Sequence, residues 1–272
     1  MSSSIDAPIG VFDSGFGGLT VMRALVEQLP NEDFVYLGDT ARAPYGPRSI
    51  AEVRKFALQG LDHLVERGVK ALVIACNSAS SAALRDARER YDVPVIEVIL
   101  PAATHALAVT RNQRVGVICT ASTANSRSYD DAFAVATDVT LTTQVCPRFV
   151  EFVEEGVAGG PELLAVAGEY LESIKRAQVD TLILGCTHYP LLTGVISYVL
   201  GDGVTLVSSA DECAKDVYAT LTRLELIHDR PRTARHRFWT TGHPGDFAGI
   251  GRRLMGGGMI GEVEQFAAAP RL

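Results

Sequence analysis

Short apolar segments rich in valine and isoleucine alternate along the chain with longer segments whose apolar residues recur at helical spacing. The predicted strands are Ile9–Phe12, Asp33–Leu37, Ala71–Ala75, Val93–Glu97, Arg114–Cys119, Val139–Gln144, Thr181–Leu184, Val204–Val207 and His236–Thr240. The predicted helices include Leu19–Leu29, Ile50–Arg67, Ser80–Arg90, Pro161–Arg176 and Asp211–Leu224. Continuous apolar strands separated by helices are typical of parallel sheets covered by helices on both faces. The pattern therefore predicts an α/β protein.

Two segments of the chain share one layout. In VKALVIACNSASSAAL and in VDTLILGCTHYPLLTGV, an apolar strand leads to a small residue, a cysteine and the start of a helix. Ligand sites of open α/β sheets lie beyond the carboxyl ends of the strands, and both Cys76 and Cys186 fall there. The repetition predicts two similar half-structures that face each other across a cleft.

Composition and charge narrow the class of protein. The 272 residues carry a net charge of −7 and 47% are hydrophobic, which is the balance of a soluble protein with a sizeable core. A negative net charge gives no indication of binding to nucleic acid or to an anionic membrane. The apolar runs are far shorter than the roughly 20 residues that span a bilayer, and no signal peptide is expected. With five sparse cysteines, we expect a cytoplasmic protein.

Cys76 and Cys186 are the candidate reactive residues. A cysteine at a helix N-terminus has its thiolate stabilised by the helix dipole and by free backbone N–H groups. One such cysteine is more often an inert buried residue, but two in matching contexts favour a chemical role. Polar residues that could hold a ligand follow both of them: Asn77, Ser78, Thr187 and His188. The other cysteines, Cys119, Cys146 and Cys213, are expected to be structural.

Three chemistries could use the pair of cysteines. Cys186 and His188 are both zinc-ligand types, but the chain has no C-x-x-C and no closed four-ligand pattern. A thiol hydrolase or transferase would use one cysteine with one base, which leaves the second cysteine unexplained. A racemase needs acid/base groups on opposite faces of one α-carbon, and two like groups on matching strand ends meet that need.

The segment IGVFDSGFGGLT joins a predicted strand to a predicted helix through Gly15, Gly17 and Gly18. Backbone N–H groups of such a turn could receive an anion, or the glycines could merely permit a tight turn. The glycine spacing does not match a dinucleotide-binding motif and no Walker lysine follows. Asp13, at the end of the strand, is placed for chemistry or for binding an ammonium group.

The segment YLGDTARAPYG follows the next predicted strand. Pro44 and Gly46 predict a shaped loop rather than a continuing helix. The hydroxyl of Tyr45 and the backbone N–H of Gly46 could each bind a substrate carboxylate. An ordinary surface loop is the alternative interpretation of this segment.

Four motifs, DSGFGGL, GDTARAPYG, ACNSAS and GCTHYPLL, follow one another in this order. Together they resemble the glutamate racemase branch of the aspartate/glutamate racemases, from about residue 9 to the helix after residue 190 and more weakly to about residue 242. The resemblance implies a cytoplasmic enzyme that interconverts L- and D-glutamate without metal or pyridoxal phosphate and supplies D-glutamate for peptidoglycan. It also implies a homodimer, with no interface assigned.

The resemblance further implies roles for individual residues. The implied acid/base groups are Asp13, Cys76, Glu154, Cys186 and His188. The implied substrate-binding residues are Asp13, Ser14, Tyr45, Gly46, Asn77, Ser78, Thr123, Thr187 and His188. In this scheme Asp13 assists Cys76, whereas His188 and Glu154 act on the side of Cys186.

The chain departs from its relatives at two places. Ser78 replaces a threonine that many relatives have, which keeps the hydroxyl. Arg148 and Glu151 stand where apolar residues and proline are common, so the local helix geometry around Glu154 is open to question.

Two α/β domains with the site between them are also implied. The first would comprise residues 1–97 and 208–272, and the second residues 98–207. An aspartate racemase, or a regulatory protein that binds an amino acid without turnover, remains an alternative.

Overall fold

The computed structural model describes residues 4–256 and 258–266, and two parallel sheets form its framework. The strands are β1 (Ile9–Asp13), β2 (Phe34–Gly38), β3 (Ala71–Ile74), β4 (Val95–Glu97), β5 (Arg114–Cys119), β6 (Thr140–Val145), β7 (Thr181–Gly185), β8 (Thr205–Ser208), β9 (His236–Thr240) and β10 (Val263–Gln265). The first sheet has the order β10-β9-β2-β1-β3-β4, and the second has the order β6-β5-β7-β8. Strands from both ends of the chain thus share the first sheet.

Helices cover both sheets. They are α1 (Leu19–Gln28), α2 (Ile50–Glu66), α3 (Asn77–Arg90), α4 (Ile99–Val109), α5 (Ala121–Ser126), α6 (Ser128–Phe133), α7 (Arg148–Glu154), α8 (Pro161–Arg176), α9 (Thr193–Leu200), α10 (Ser209–Arg223) and α11 (Pro244–Met255). Short 3-10 turns span Thr40–Arg42 and Tyr189–Leu192. Within the described ranges, no helix combines the length and hydropathy needed to cross a membrane.

One core joins the two sheets. It contains Val11 and Val73 from the first sheet, Val117 and Ile183 from the second, and apolar side chains of α1, α4 and α10. A second core lies between the first sheet and helices α2 and α3, and a third lies between the second sheet and helices α8 and α9. The buried strands are apolar on both faces because helices cover both faces.

The predicted α/β class with mainly parallel sheets is confirmed, and the predicted strands lie within about two residues of the observed ones. Helix α3 is a correction, because it begins at Asn77 rather than at Ser80. The Sγ atom of Cys76 accepts a hydrogen bond from the N–H of Ala79 at 3.4 Å, so the thiol itself caps the helix three residues earlier.

Several elements were not predicted: α4, α5, α6, α11 and β10. Most are short, and a short helix is marginal without tertiary packing. Helix α4 is apolar over much of its circumference, so it lacks a clear polar face. The buried carboxylate of Glu97 accepts from the N–H of Leu100 at 2.7 Å and from that of Ile99, which begins this helix just after β4.

Candidate active site

A cavity of about 220 Å³ opens at the carboxyl ends of strands from both sheets. Most of the residues implicated by the sequence line it: Ser14, Tyr45, Gly46, Cys76, Asn77, Ser78, Glu154, Cys186, Thr187 and His188. Asp13 and Thr123 are buried and lie outside the cavity wall. The two cysteines reach the same cavity from strands of different sheets, since Cys76 follows β3 and Cys186 follows β7.

Cys76 is buried. Its thiol is 6% exposed and can donate to Oγ of Ser14 at 3.3 Å. Burial, together with the negative charge of Asp13, raises the pKa of Cys76 to about 12. Without a ligand, Cys76 is therefore a thiol at neutral pH.

Asp13 ends β1 and is fully buried. Its Oδ1 accepts from the N–H of Gly15 at 2.8 Å, and burial raises the pKa of the carboxyl group. Gly18 packs directly on this side chain, because a Cβ atom there would lie 2.6 Å from Cγ of Asp13. The glycine-rich turn therefore wraps a carboxyl group.

Cys186 has a different neighbour. Its Sγ lies 3.7 Å from Nδ1 of His188, whose Nε2 lies 3.2 Å from Oε1 of Glu154. Burial by itself would lower the pKa of His188, but these two contacts raise it to about 10. His188 is then an imidazolium at neutral pH, and its positive charge lies beside Cys186. The two cysteines thus stand in opposite electrostatic environments.

Glu154 is the last residue of α7, which is a regular helix despite the unusual residues within it. Arg148 points outward and pairs with Glu162 at 2.5 Å. Phe149 and Phe152 are buried and hold the inner face of the helix against the core. The substitutions noted in the sequence therefore leave Glu154 in contact with His188.

Hydroxyl and amide groups form another part of the wall. The hydroxyls of Ser78, Thr120 and Thr123 form a cluster, with Ser78 2.9 Å from Thr120 and Thr120 3.2 Å from Thr123. Asn77 donates from Nδ2 to the hydroxyl of Tyr129 at 3.0 Å. Its Oδ1 has no hydrogen-bond partner among the described protein atoms, which leaves it free to accept a bond from a ligand.

Thr120 also lines the cavity. It follows β5 directly and caps helix α5, where its hydroxyl accepts from the N–H of Thr123. Its position at a strand end, before a helix, is the same sequence signal that marks Cys76 and Cys186.

The loop that carries Tyr45 and Gly46 closes one side of the cavity. The hydroxyl of Tyr45 donates to the buried carboxylate of Asp39, so it is already engaged within the protein. The carbonyl oxygen of Gly46 accepts from the N–H of Ser122 in α5 at 2.8 Å. The loop therefore bridges from the first sheet to a helix of the second sheet.

A sequence profile of the Asp/Glu/Hydantoin racemase family matches residues 9–217 of this chain. The chain belongs to that family. The resemblance predicted from the four motifs is thereby confirmed, and membership makes the chain an isomerase that acts as a racemase. Within the described ranges, no group of three or more histidine, cysteine or acidic side chains is arranged to hold a metal ion.

Individual relatives are similar over almost the whole chain. The glutamate racemase of Parafrankia sp. (strain EAN1pec) is 61% identical over 267 residues, which are 97% of this chain and 96% of that protein. The crystal structure of a glutamate racemase isoform from Bacillus anthracis superposes with a TM-score of 0.89 at 38% identity, covering 97% of both chains. A glutamate racemase from Francisella tularensis in complex with D-glutamate has a TM-score of 0.88 at 35% identity, covering 96% of both.

Proposed function

We propose that this racemase interconverts L-glutamate and D-glutamate, with Cys76 and Cys186 as its two acid/base groups and no cofactor. One observation carries the proposal: two thiols from different sheets open into a single cavity. The names of its relatives support glutamate as the substrate. The polar wall suits a small ligand that has two carboxylates and one ammonium group.

The mechanism follows from the unlike environments of the thiols. Beside the imidazolium of His188, Cys186 acts as the thiolate and removes the α-proton from one enantiomer. The thiol of Cys76 then gives its proton to the opposite face of the carbanion. Cys186 ends as a thiol and Cys76 as a thiolate, and the opposite reaction reverses these two transfers. General acid/base groups each contribute about 10²- to 10⁴-fold.

Asp13 serves the Cys76 side. Burial raises the pKa of this carboxyl group, and its charge opposes ionisation of Cys76. A proton held on Asp13 lowers that repulsion whenever Cys76 is a thiolate. On the other side, the positive charge of His188 stabilises Cys186 when it is a thiolate. Glu154 holds the Nε2 atom of the imidazolium ring.

Donors and acceptors of the wall hold the substrate. We assign this task to Ser14, Asn77, Ser78, Thr187 and the backbone of Gly46, with Tyr45 contributing its ring and the loop that it anchors. Thr123 lies behind the wall and supports it through its contact with the hydroxyl of Thr120. Helix α3 adds its N-terminus, which favours an anion. Such donors also stabilise the negative charge that develops as the α-proton leaves.

The proposal extends to the cellular setting. The reaction would supply D-glutamate for peptidoglycan in the cytoplasm, and the enzyme would act as a homodimer. The active site would lie between a domain of residues 1–97 and 208–272 and a domain of residues 98–207. The distribution of strands between the two sheets supports this division.

Deuterium exchange tests the function. The purified chain is incubated in D₂O with L- or D-glutamate, with and without a chelator, and the α-proton signal and the enantiomer ratio are followed. We expect both enantiomers to exchange and to interconvert whether or not the chelator is present. Exchange of aspartate but not of glutamate would make the chain an aspartate racemase. Binding without exchange would indicate a regulatory protein.

A further inference from the structure

The start of helix α1 contacts the segment that carries Cys186. The hydroxyl of Thr20 lies 2.8 Å from the carbonyl oxygen of Thr187 and 2.9 Å from that of Gly17, so its one hydrogen is placed between two acceptors. The first contact joins residues 167 positions apart in the chain. The bond links helix α1, which follows a strand of the first sheet, to the residue after Cys186, which follows a strand of the second sheet.

Gly17 makes a second contact with the same segment. A Cβ atom at this position would lie 2.5 Å from Cε1 of His188 and would also overlap Nδ1 of that ring and Oγ1 of Thr187. Nδ1 is the atom that faces Sγ of Cys186. The backbone of Gly17 is not left-handed, so close approach, rather than backbone strain, requires glycine here.

We propose that Thr20 and Gly17 are positioning residues that set the geometry of Cys186 and His188 from the opposite sheet. This inference rests on the proposed racemase function. The sequence suggested that the glycine-rich turn binds an anion or permits a tight turn. Its third role is to leave room for the ring of His188. Proton transfer requires the thiol, the imidazole and the α-carbon to be aligned, and a displacement of about 1 Å can cost about 10²-fold in rate.

Thr20→Val tests the proposal, because valine keeps the shape of threonine and removes the hydroxyl. We expect kcat to fall about tenfold or more, with KM little changed. Thr20→Ser keeps the hydroxyl and should restore most of the rate. Thr222→Val is the matched control, since Thr222 also donates to a helix carbonyl, at 2.8 Å, on the exposed side of α10.

Gly17→Ala tests the second contact, and Gly168→Ala in α8 is its control. A Cβ atom at Gly168 would meet nothing within 4 Å, so this control should keep full activity. Gly17→Ala should reduce kcat by about 10²-fold through displacement of the His188 ring. Wild-type activity in Gly17→Ala would overturn the proposal for this residue.

Isotope effects distinguish positioning from general damage. With α-deuterated glutamate, slower transfer at Cys186 alone increases the primary isotope effect for the enantiomer whose proton Cys186 removes. It decreases the effect for the other enantiomer, because delivery from Cys186 then limits that direction. Isotope effects that change in the same sense for both enantiomers, or a Thr20→Ser variant as slow as Thr20→Val, would overturn the proposal.

An activity-independent measurement separates this inference from the proposed function. Alkylation by iodoacetamide is followed by mass spectrometry at Cys76 and at Cys186 separately. Thr20→Val should change the rate at Cys186 and leave that at Cys76 unchanged, even if the wild-type chain racemises nothing. Equal rates in wild type and variant at Cys186 would overturn the inference while leaving the function intact.

Discussion

The two cysteines are alike in chemistry and in local sequence, yet their neighbours make them different. Cys76 lies near a buried carboxyl group, and its pKa is raised to about 12. Cys186 lies beside an imidazole whose pKa is raised to about 10. A carboxyl group beside one thiol and an imidazolium beside the other suit the two unlike roles that the proposed mechanism gives them. The difference arises from Asp13 and His188, not from the cysteines themselves.

Removal of either thiol is the first prediction at this scale. Cys76→Ala and Cys186→Ala should each lower racemisation by at least about 10²-fold, because each acid/base group contributes that much or more. Circular dichroism of L- and D-glutamate solutions follows the reaction in both directions. Cys213→Ala is the control, since Cys213 is buried within α10 and does not line the cavity. Near-full activity of either active-site variant would contradict the two-thiol scheme.

The pH dependence of stability reports on His188. Its pKa rises from the ordinary 6.5 to about 10, so the folded chain binds this proton more tightly than the unfolded chain. The stabilisation is complete below pH 6.5 and is lost as the pH rises through 10. We therefore expect the free energy of unfolding to fall less steeply over this interval in His188→Gln than in wild type.

Urea titrations at a series of pH values measure this difference. The charged and titratable groups that face His188 are Cys186, Glu154 and Asp13, and they are the same in wild type and variant. His243→Gln is the control, because the side chain of His243 is 73% exposed. Identical pH profiles for wild type and His188→Gln would refute the assignment of the raised pKa.

At the scale of an element, the loop that closes the cavity depends on one carboxylate. Asp39 is fully buried and accepts from Nε of Arg42 at 2.7 Å, from the hydroxyl of Thr241 at 2.8 Å and from the hydroxyl of Tyr45. These bonds join the loop to the turn after β9. The shape of the loop is thus set by a residue that does not line the cavity.

Asp39→Asn should loosen this loop, because an amide has one acceptor oxygen where the carboxylate has two. We expect a loss of about 1–3 kcal/mol in the free energy of unfolding and a rise in KM for glutamate that exceeds the fall in kcat. Steady-state kinetics and urea denaturation measure both quantities. Asp62→Asn is a matched control, since Asp62 accepts from Arg90 and Tyr91 away from the cavity. A KM shift of equal size in the control would argue against a specific role for the loop.

For the whole molecule, a buried ion pair ties together distant parts of the chain at the amino ends of the strands. Nζ of Lys70 lies 2.6 Å from Oε2 of Glu32 and donates to the carbonyl oxygens of Ile5 and Leu226, at 2.8 and 2.7 Å. Both charged side chains are almost fully buried. The pair lies just before β3, whereas the cavity lies beyond the opposite end of that strand.

Lys70→Met should destabilise the chain by about 3–5 kcal/mol, because it leaves the charge of Glu32 buried without a partner. The double variant Lys70→Met, Glu32→Gln should recover part of that loss. Thermal and urea unfolding measure the effect. Racemase kcat, measured below the unfolding transition, should be unchanged in the single variant, and a large fall in kcat would mean that the two ends of the sheet are coupled.

Much of the fold could be predicted from the sequence because strands and helices are marked by local patterns of apolar residues. Apolar runs that are buried on both faces mark strands such as β3 and β7 whatever packs against them. A cysteine after such a run must lie at the carboxyl edge of a sheet, so Cys76 and Cys186 were found without coordinates. The start of α3 was misplaced because a thiol is an unusual helix cap, and α5 and α6 were missed because they are short.

The sequence by itself determined the α/β class, the positions of most strands and the placing of both cysteines at strand ends, because chain periodicity and strand polarity decide these features. The contacts of each thiol were indicated only through the family resemblance, and the tertiary structure decided their geometry. Glu154 meets His188, Tyr45 meets Asp39, and Thr20 meets Thr187 across long stretches of chain. Such contacts depend on how distant parts of the chain pack together, and no local pattern of residues encodes that packing.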